Sequence, residues 1–369
     1  MTTASSKAAI RAEAEALLAA FRAAGAFPVE ADLLLPAGTL LDLYGEDIRA
    51  RAYTTQDPLQ GEMMLRPDFT VPVVQAHMQG GADPARYCYL GEVFRRQETR
   101  DGRPSEYLQV GFELFDRAAP EAADAEVFAL FSRMLAGLSL RSATGDIGIL
   151  MAAVRGLATT ERRRAALLRH IWRPRRFRAL LDRFSGRAPV PHARAALLAR
   201  LSHGSPAALI AEAGPLVGLR DAEEIAERAT ALIEDASSPP IAAPEAALLY
   251  DLLSLQAPAE AALAHLRGIT PLLPAIATSV DKFAARLDAL RGRGIATDTL
   301  PFEASLGRTS LEYYDGFVFS LHGPEGMPPV ASGGRYDALT AVLGQGRSIP
   351  AVGGVIRPGL VAAIKGGLA

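Results

Sequence analysis

Gln109 and Glu113 stand four residues apart in Tyr107-Leu-Gln-Val-Gly-Phe-Glu-Leu-Phe115. The two-residue alternation of a strand sends both to one side with Tyr107 and Gly111, while Leu108, Val110, Phe112 and Leu114 face the other way as a core-facing set does. The polar side is then either a solvent-facing surface or a cleft floor on which one amide and one carboxylate await a polar ligand. A second run, Leu311-Glu-Tyr-Tyr-Asp-Gly-Phe-Val-Phe319, reads as a strand with Tyr314 on one face and Tyr313 on the other. A phenol is thereby offered to each side, with a packed core tyrosine as the plain alternative. Arg95, Arg96, Arg100 and Arg103 fall in the polar stretch between Tyr87–Phe94 and Tyr107–Phe115, two runs that pair naturally as an antiparallel hairpin with a long exposed loop.

Other features carry less chemistry. The glycine-rich segments Ser332–Tyr336 and Gly344–Ser348 fit neither the P-loop nor the dinucleotide fingerprint, and read as tight turns. From Glu161 to Arg187 there are ten arginines against two acids, interleaved with apolar residues at helical spacing. That pattern suits an RNA or acidic partner and, equally, a solvated arginine face; a net charge of -2 over 369 residues argues against a dedicated nucleic-acid binder. The six histidines lack metal-ligand spacing, no Ser or Cys sits in a nucleophile elbow, and Cys88 is the lone cysteine. No metal, cofactor or covalent nucleophile is expected.

The elements that must position these residues follow from pattern. Residues 5–24 and 121–137 have helical periodicity, 145–150 and 298–306 read as strands, and roughly 153–292 is dominated by helix-period segments. Strands, then helices, then strands, without βαβ alternation, predict an α+β fold on an antiparallel sheet with a helical insertion. The expected units are a core in two parts, 1–152 and 271–369, and an insertion at 153–270. With 49% hydrophobic residues, no long apolar run and no secretory leader pattern, a soluble cytoplasmic protein is expected.

Several segments together resemble the catalytic core of class II aminoacyl-tRNA synthetases, most closely the histidyl-tRNA synthetase branch. Pro36 in Leu33-Leu-Leu-Pro-Ala is similar to the proline of the dimer-forming first motif. Met64-Leu-Arg-Pro-Asp-Phe-Thr70 resembles the Leu-Arg-Pro-Glu-Gly-Thr segment, and Tyr89–Arg95 through Gln109–Glu113 resembles the second motif without a gap. The resemblance implies that Asp68, Thr70 and Gln109 hold the α-amino group of histidine, that Glu113 and Tyr314 meet its imidazole, and that Arg95 and Tyr313 belong to the same pocket. It also implies that Arg103 and Tyr107 stay at the nucleotide end.

The departures fall on catalytic positions. Thr309 stands where the synthetases carry the arginine that neutralises the amino-acid carboxylate, and Arg308, next to it, would point to the opposite face of a pleated strand. Gln97 replaces a metal-facing carboxylate. In Gly353-Gly-Val-Ile-Arg-Pro-Gly-Leu360, Leu360 takes the place of the third-motif arginine, and Arg357 would substitute only through a local shift that Pro358 opposes. Losing such cations costs a phosphoryl-type transition state several kcal/mol each, on the order of what one oxyanion-hole donor supplies. No anticodon-binding domain is expected. The combination resembles the regulatory subunits of ATP phosphoribosyltransferase, catalytically silent synthetase paralogues. That resemblance implies a self-dimer, a short-form catalytic partner in a hetero-octamer, glycosyl transfer in the partner, and feedback by L-histidine on the first step of histidine biosynthesis. The rivals are an adenylate-forming paralogue acting on a non-tRNA acceptor, and an RNA-binding synthetase fragment.

Overall fold

The computed structural model describes residues 6–44, 48–97, 104–308 and 313–367. Its strands are β1 (Phe27–Pro28), β2 (Leu34–Pro36), β3 (Thr54–Asp57), β4 (Gly61–Leu65), β5 (Ala85–Phe94), β6 (Glu106–Phe115), β7 (Arg141–Asp146), β8 (Gln256–Pro258), β9 (Pro301–Glu303), β10 (Phe317–His322), β11 (Ala331–Arg335) and β12 (Ala351–Ile356). Among the described residues nine strands form one sheet in the order β1-β5-β6-β12-β11-β10-β7-β9-β8, and β2-β4-β3 form a smaller one. Pairing in the large sheet is antiparallel except for β1 with β5 and β7 with β9. The class is α+β, as the segment order predicts.

The hairpin of β5 and β6 is the spine of that sheet. Its register sets Tyr87 opposite Glu113, Tyr89 opposite Gly111 and Gly91 opposite Gln109. Phe112, on the apolar side, meets Phe21 of the helix Lys7–Ala23 at 5.4 Å, and Phe21 meets Phe131 of the helix Pro120–Met134 at 5.2 Å. From Gln109 to Phe115 every residue of β6 is buried, the polar side included. The solvent-facing alternative for Gln109 and Glu113 is thereby overturned.

By packing, the chain divides into two compact units. One comprises Met1–Ile149, Ser254–Gly268 and Ala277–Ala369 and holds the large sheet; the other comprises Leu150–Leu253 and Ile269–Ile276 and is helical. In the helical unit the arginine-rich run makes two helices, Glu161–Arg169 and Pro174–Phe184, whose Leu167, Phe177, Leu181 and Phe184 are buried. Arg163 is buried with them, its Nε 2.6 Å from Asp235 Oδ1 and its Nη1 donating to the Pro239 carbonyl at 2.7 Å. Part of that run is therefore structural, and Arg162, Arg169, Arg175, Arg176 and Arg178 form the solvated face.

Three expected strands are placed differently. The run at 145–150 divides between the end of β7 and the helix Ile147–Arg155, because its apolar residues suit either period. The strand expected over 298–306 shrinks to β9, which then enters a turn at Gly307, φ 81°. The run 311–319 becomes a strand only from Phe317, since Asp315 turns away to accept hydrogen bonds from the backbone N–H of Asp337 (3.1 Å) and of Ala338 (2.5 Å). Tyr313 and Tyr314 are therefore off the pleat, and the expectation of one phenol on each face fails. Ser332–Arg335, expected as a tight turn, lies within β11.

Beneath the sheet runs a line of buried charges. Arg286 donates to Asp146 Oδ2 at 2.5 Å and Asp124 Oδ2 at 3.0 Å, and Arg335 grips Asp124 Oδ1 at 3.1 and 2.7 Å. Arg335 Nη1 continues to Asp337 Oδ1 at 3.0 Å. Removing one member of a buried pair leaves its partner's charge uncompensated, at a cost of about 3–5 kcal/mol. Arg286→Met is expected to destabilise the sheet unit by that amount, read by hydrogen exchange in β7 and β11 under urea; protection equal to wild type would contradict this.

Candidate functional site

The Leu65–Thr70 segment reaches the sheet through Arg66. This buried guanidinium donates from Nε to the Glu92 carbonyl at 2.8 Å and to the Ala31 carbonyl, and covers the Phe69 ring at 4.1 Å. The Phe94 N–H closes the clamp onto the Arg66 carbonyl at 3.0 Å. Phe69 stacks on Tyr89 at 4.4 Å with planes 10° apart. Asp68 and Thr70, on either side of Phe69, are thereby delivered buried to the polar face of β6.

At the centre of that face is Glu113, 1% exposed. Its Oε1 accepts from the Thr70 hydroxyl at 3.0 Å and the Tyr89 phenol at 3.0 Å, and its Oε2 accepts from the Tyr336 phenol at 2.6 Å. Tyr313 donates to the Thr70 hydroxyl at 3.3 Å and crosses Tyr314 edge to face at 4.8 Å. Two glycines make room: a Cβ on Gly353 would overlap the Glu113 carboxylate, and one on Gly111 would overlap the Tyr89 ring. Burial pushes the Glu113 carboxyl up to about 7, the three hydroxyl donors pull it down, and Asp68 adds to the rise. Gln109 is fully buried, and among the described residues neither atom of its amide has a hydrogen-bond partner. An amide left so costs about 1–3 kcal/mol in a finished core.

Beyond Tyr314 the site opens into a cavity of about 990 Å³ whose walls include Arg95, Tyr107, Ser320, His322, Arg357 and Leu360. Arg95 donates from Nε to the Pro67 carbonyl at 2.8 Å, and Gln97 turns its amide onto the Arg95 carbonyl at 3.1 Å. Arg357 faces this cavity without the local shift that the sequence demanded. It is the extended cap residue of the helix Pro358–Lys365, and proline at the first helical position favours that arrangement instead of opposing it. Arg308 is buried in the turn after β9, so the pleat that would have aimed it away is absent.

Of the expected pocket residues, Asp68, Thr70, Gln109, Glu113, Tyr313 and Tyr314 gather at this face, while Arg95 stands in the adjoining cavity. Arg100, Arg103, Thr309 and Glu312 lie outside the described residues. Sequence reasoning missed Tyr89 and Tyr336 as partners of Glu113. Tyr89 was legible, because the hairpin register sets it against Gly111; Tyr336 was hidden behind two glycines that read as a turn.

The histidyl-tRNA synthetase family profile matches residues 4–257 and 226–358. An ATP phosphoribosyltransferase regulatory subunit of Mesorhizobium japonicum is 34% identical over 365 residues, which span 90% of this chain and 92% of that one. A second, from Brucella anthropi, is 34% identical over 346 residues, 88% of this chain and 89% of that one. The chain belongs to the ATP phosphoribosyltransferase regulatory subunits, within the wider histidyl-tRNA synthetase family. Solved structures agree on the fold. An ATP phosphoribosyltransferase regulatory subunit/histidyl-tRNA synthetase from Bacillus halodurans superposes with a TM-score of 0.69 at 22% identity, covering 99% of this chain and 81% of that one. A histidyl-tRNA synthetase from Nostoc sp. gives 0.64 at 15% identity, covering 98% and 73%.

The raised Glu113 carboxyl has a consequence in stability. Between pH 4.5, its ordinary value, and about 7, the folded chain keeps a proton that the unfolded chain has released. The stability this group contributes is thus present at low pH and lost as pH rises to about 7. In urea denaturation, wild type is expected to lose up to about 3 kcal/mol relative to Glu113→Gln between pH 4.5 and 7.5. A difference that does not change with pH would contradict the assignment.

Proposed function

We propose that this chain is a non-catalytic regulatory subunit that pairs with a short-form ATP phosphoribosyltransferase catalytic subunit in the cytoplasm, and that it senses L-histidine in the first step of histidine biosynthesis. Glycosyl transfer resides in the partner. The observation that carries the ligand reading is the buried pair of Glu113 and Gln109, with Asp68 beside them. Two carboxylates sharing a dry site repel each other, and a ligand bringing an ammonium and a ring N–H relieves both. Histidine brings these two groups at its opposite ends. The names of the relatives support the partner and the pathway.

The silent chemistry rests on residues in the cavity. Leu360 presents an alkyl group to it, and Gln97 spends its amide on the backbone carbonyls of Arg95 and Pro104. Neither can carry a metal-bound triphosphate. Arg95 and Arg357 favour a second reading, adenylate formation, which ATP–pyrophosphate exchange with histidine would reveal. The exposed apolar side chains of Phe27, Leu33, Leu34 and Tyr53 support self-association, since a cluster of such side chains suits an interface.

Reconstitution tests the proposal. A short-form catalytic subunit is expected to show ATP phosphoribosyltransferase activity only with this chain, in a complex containing this chain as a dimer by light scattering, and that activity is expected to fall as histidine is added. Full activity without the chain, or no association, would sink it.

A further inference from the structure

The polar face that carries Glu113 continues along β12. Gly353 pairs with Glu113 and Val355 with Gly111, so the next position of that alternation, Arg357, lies on the same face beside Gln109. Its backbone is still extended, φ −103° and ψ 95°, and the pleat carries through to it. Nη1 of Arg357 donates to the Pro329 carbonyl at 2.6 Å, and the side chain also hydrogen-bonds Tyr107. Among the described residues no carboxylate pairs with Arg357. Arg95, on the wall of the same cavity, acts on Arg357 as a like charge. Burial lowers the Arg357 guanidinium, Tyr107 raises it and Arg95 lowers it further.

Two guanidinium groups facing one cavity, one of them with only a carbonyl and a phenol as neutral partners, make a site for an anion. Gln109, on the same face, has an amide with both atoms buried and without a hydrogen-bond partner among the described residues. Four strand steps lead from Gly353 to Arg357, a span of roughly 13 Å. Arg357 and Glu113 thus rise from the two ends of a span long enough to take one amino acid between their side chains.

We propose that Arg357 is the carboxylate anchor of an α-amino acid whose side chain ends at Glu113. The inference rests on the histidine reading and adds to it the residue that holds the opposite end of the ligand. It also supplies the carboxylate partner that threonine at position 309 cannot provide. A planar guanidinium matches a carboxylate with two parallel hydrogen bonds, which a lysine cannot reproduce.

The test compares L-histidine with L-histidinol, which keeps the imidazole and the ammonium but carries a hydroxymethyl group in place of the carboxylate. Calorimetry on the full chain, alone and in complex with the catalytic subunit, is expected to show wild type preferring histidine by about tenfold or more. Arg357→Met is expected to weaken histidine to the level of histidinol and to leave histidinol within about twofold, and Arg357→Lys to keep part of the preference. Equal affinities in wild type, or an undiminished preference in Arg357→Met, would overturn the proposal and leave the histidine reading standing. Loss of histidinol binding to the same degree as histidine would assign Arg357 to the structure of the pocket and overturn it too. If neither ligand bound wild type, the histidine reading would fall, and this inference with it.

Discussion

A carboxylate held where water cannot reach it must find donors in the protein or give up its charge, and Glu113 does some of both. Three hydroxyls from three separate segments converge on its two oxygens, from Thr70, Tyr89 and Tyr336. Each demands something of the fold. Thr70 arrives because Arg66 fastens the segment before it to β5; Tyr89 lies flat because Gly111 has no side chain; Glu113 itself has space because Gly353 has none. The glycines and the buried arginine are intelligible only as attendants of that one group.

Tyr336 links the site to the charges beneath the sheet. It sits between Arg335, which grips Asp124, and Asp337, which accepts the Ala351 N–H at 2.9 Å, so its backbone is fixed from both sides. Asp337 also crowds Asp315, just after the paired tyrosines, and burial with that neighbour pushes the Asp315 carboxyl up to about 7. A ligand that alters the charge on Glu113 acts on a phenol anchored in this network. That gives a physical route by which occupancy of a small pocket reaches distant surfaces of the same unit.

Much of this was readable in the sequence, for definable reasons. The β5–β6 hairpin was legible because two apolar and aromatic runs flank a polar, charged stretch, and Gln109 and Glu113 stood out because they fall on one face of the second run. The pleat at Tyr313 and Tyr314 was misread because a local pattern does not show that Asp315 is drawn off to cap Asp337 and Ala338. Arg357 was undervalued for a similar reason: Pro358 looks like an obstacle within a helix and is an asset at its first position. Burial of the polar face of β6 was beyond any one-dimensional reading, since the residues that cover it come from both ends of the chain.

The central claim is that the buried amide of Gln109 is kept unsatisfied for a ligand. The most direct measurement is thermal unfolding of wild type and Gln109→Met, each with and without saturating histidine. An apolar side chain of matching shape removes the cost of the unpaired amide, so the variant should melt higher than wild type and lose the upward shift that histidine gives. A variant that melts lower, or that keeps the full histidine shift, would contradict the account.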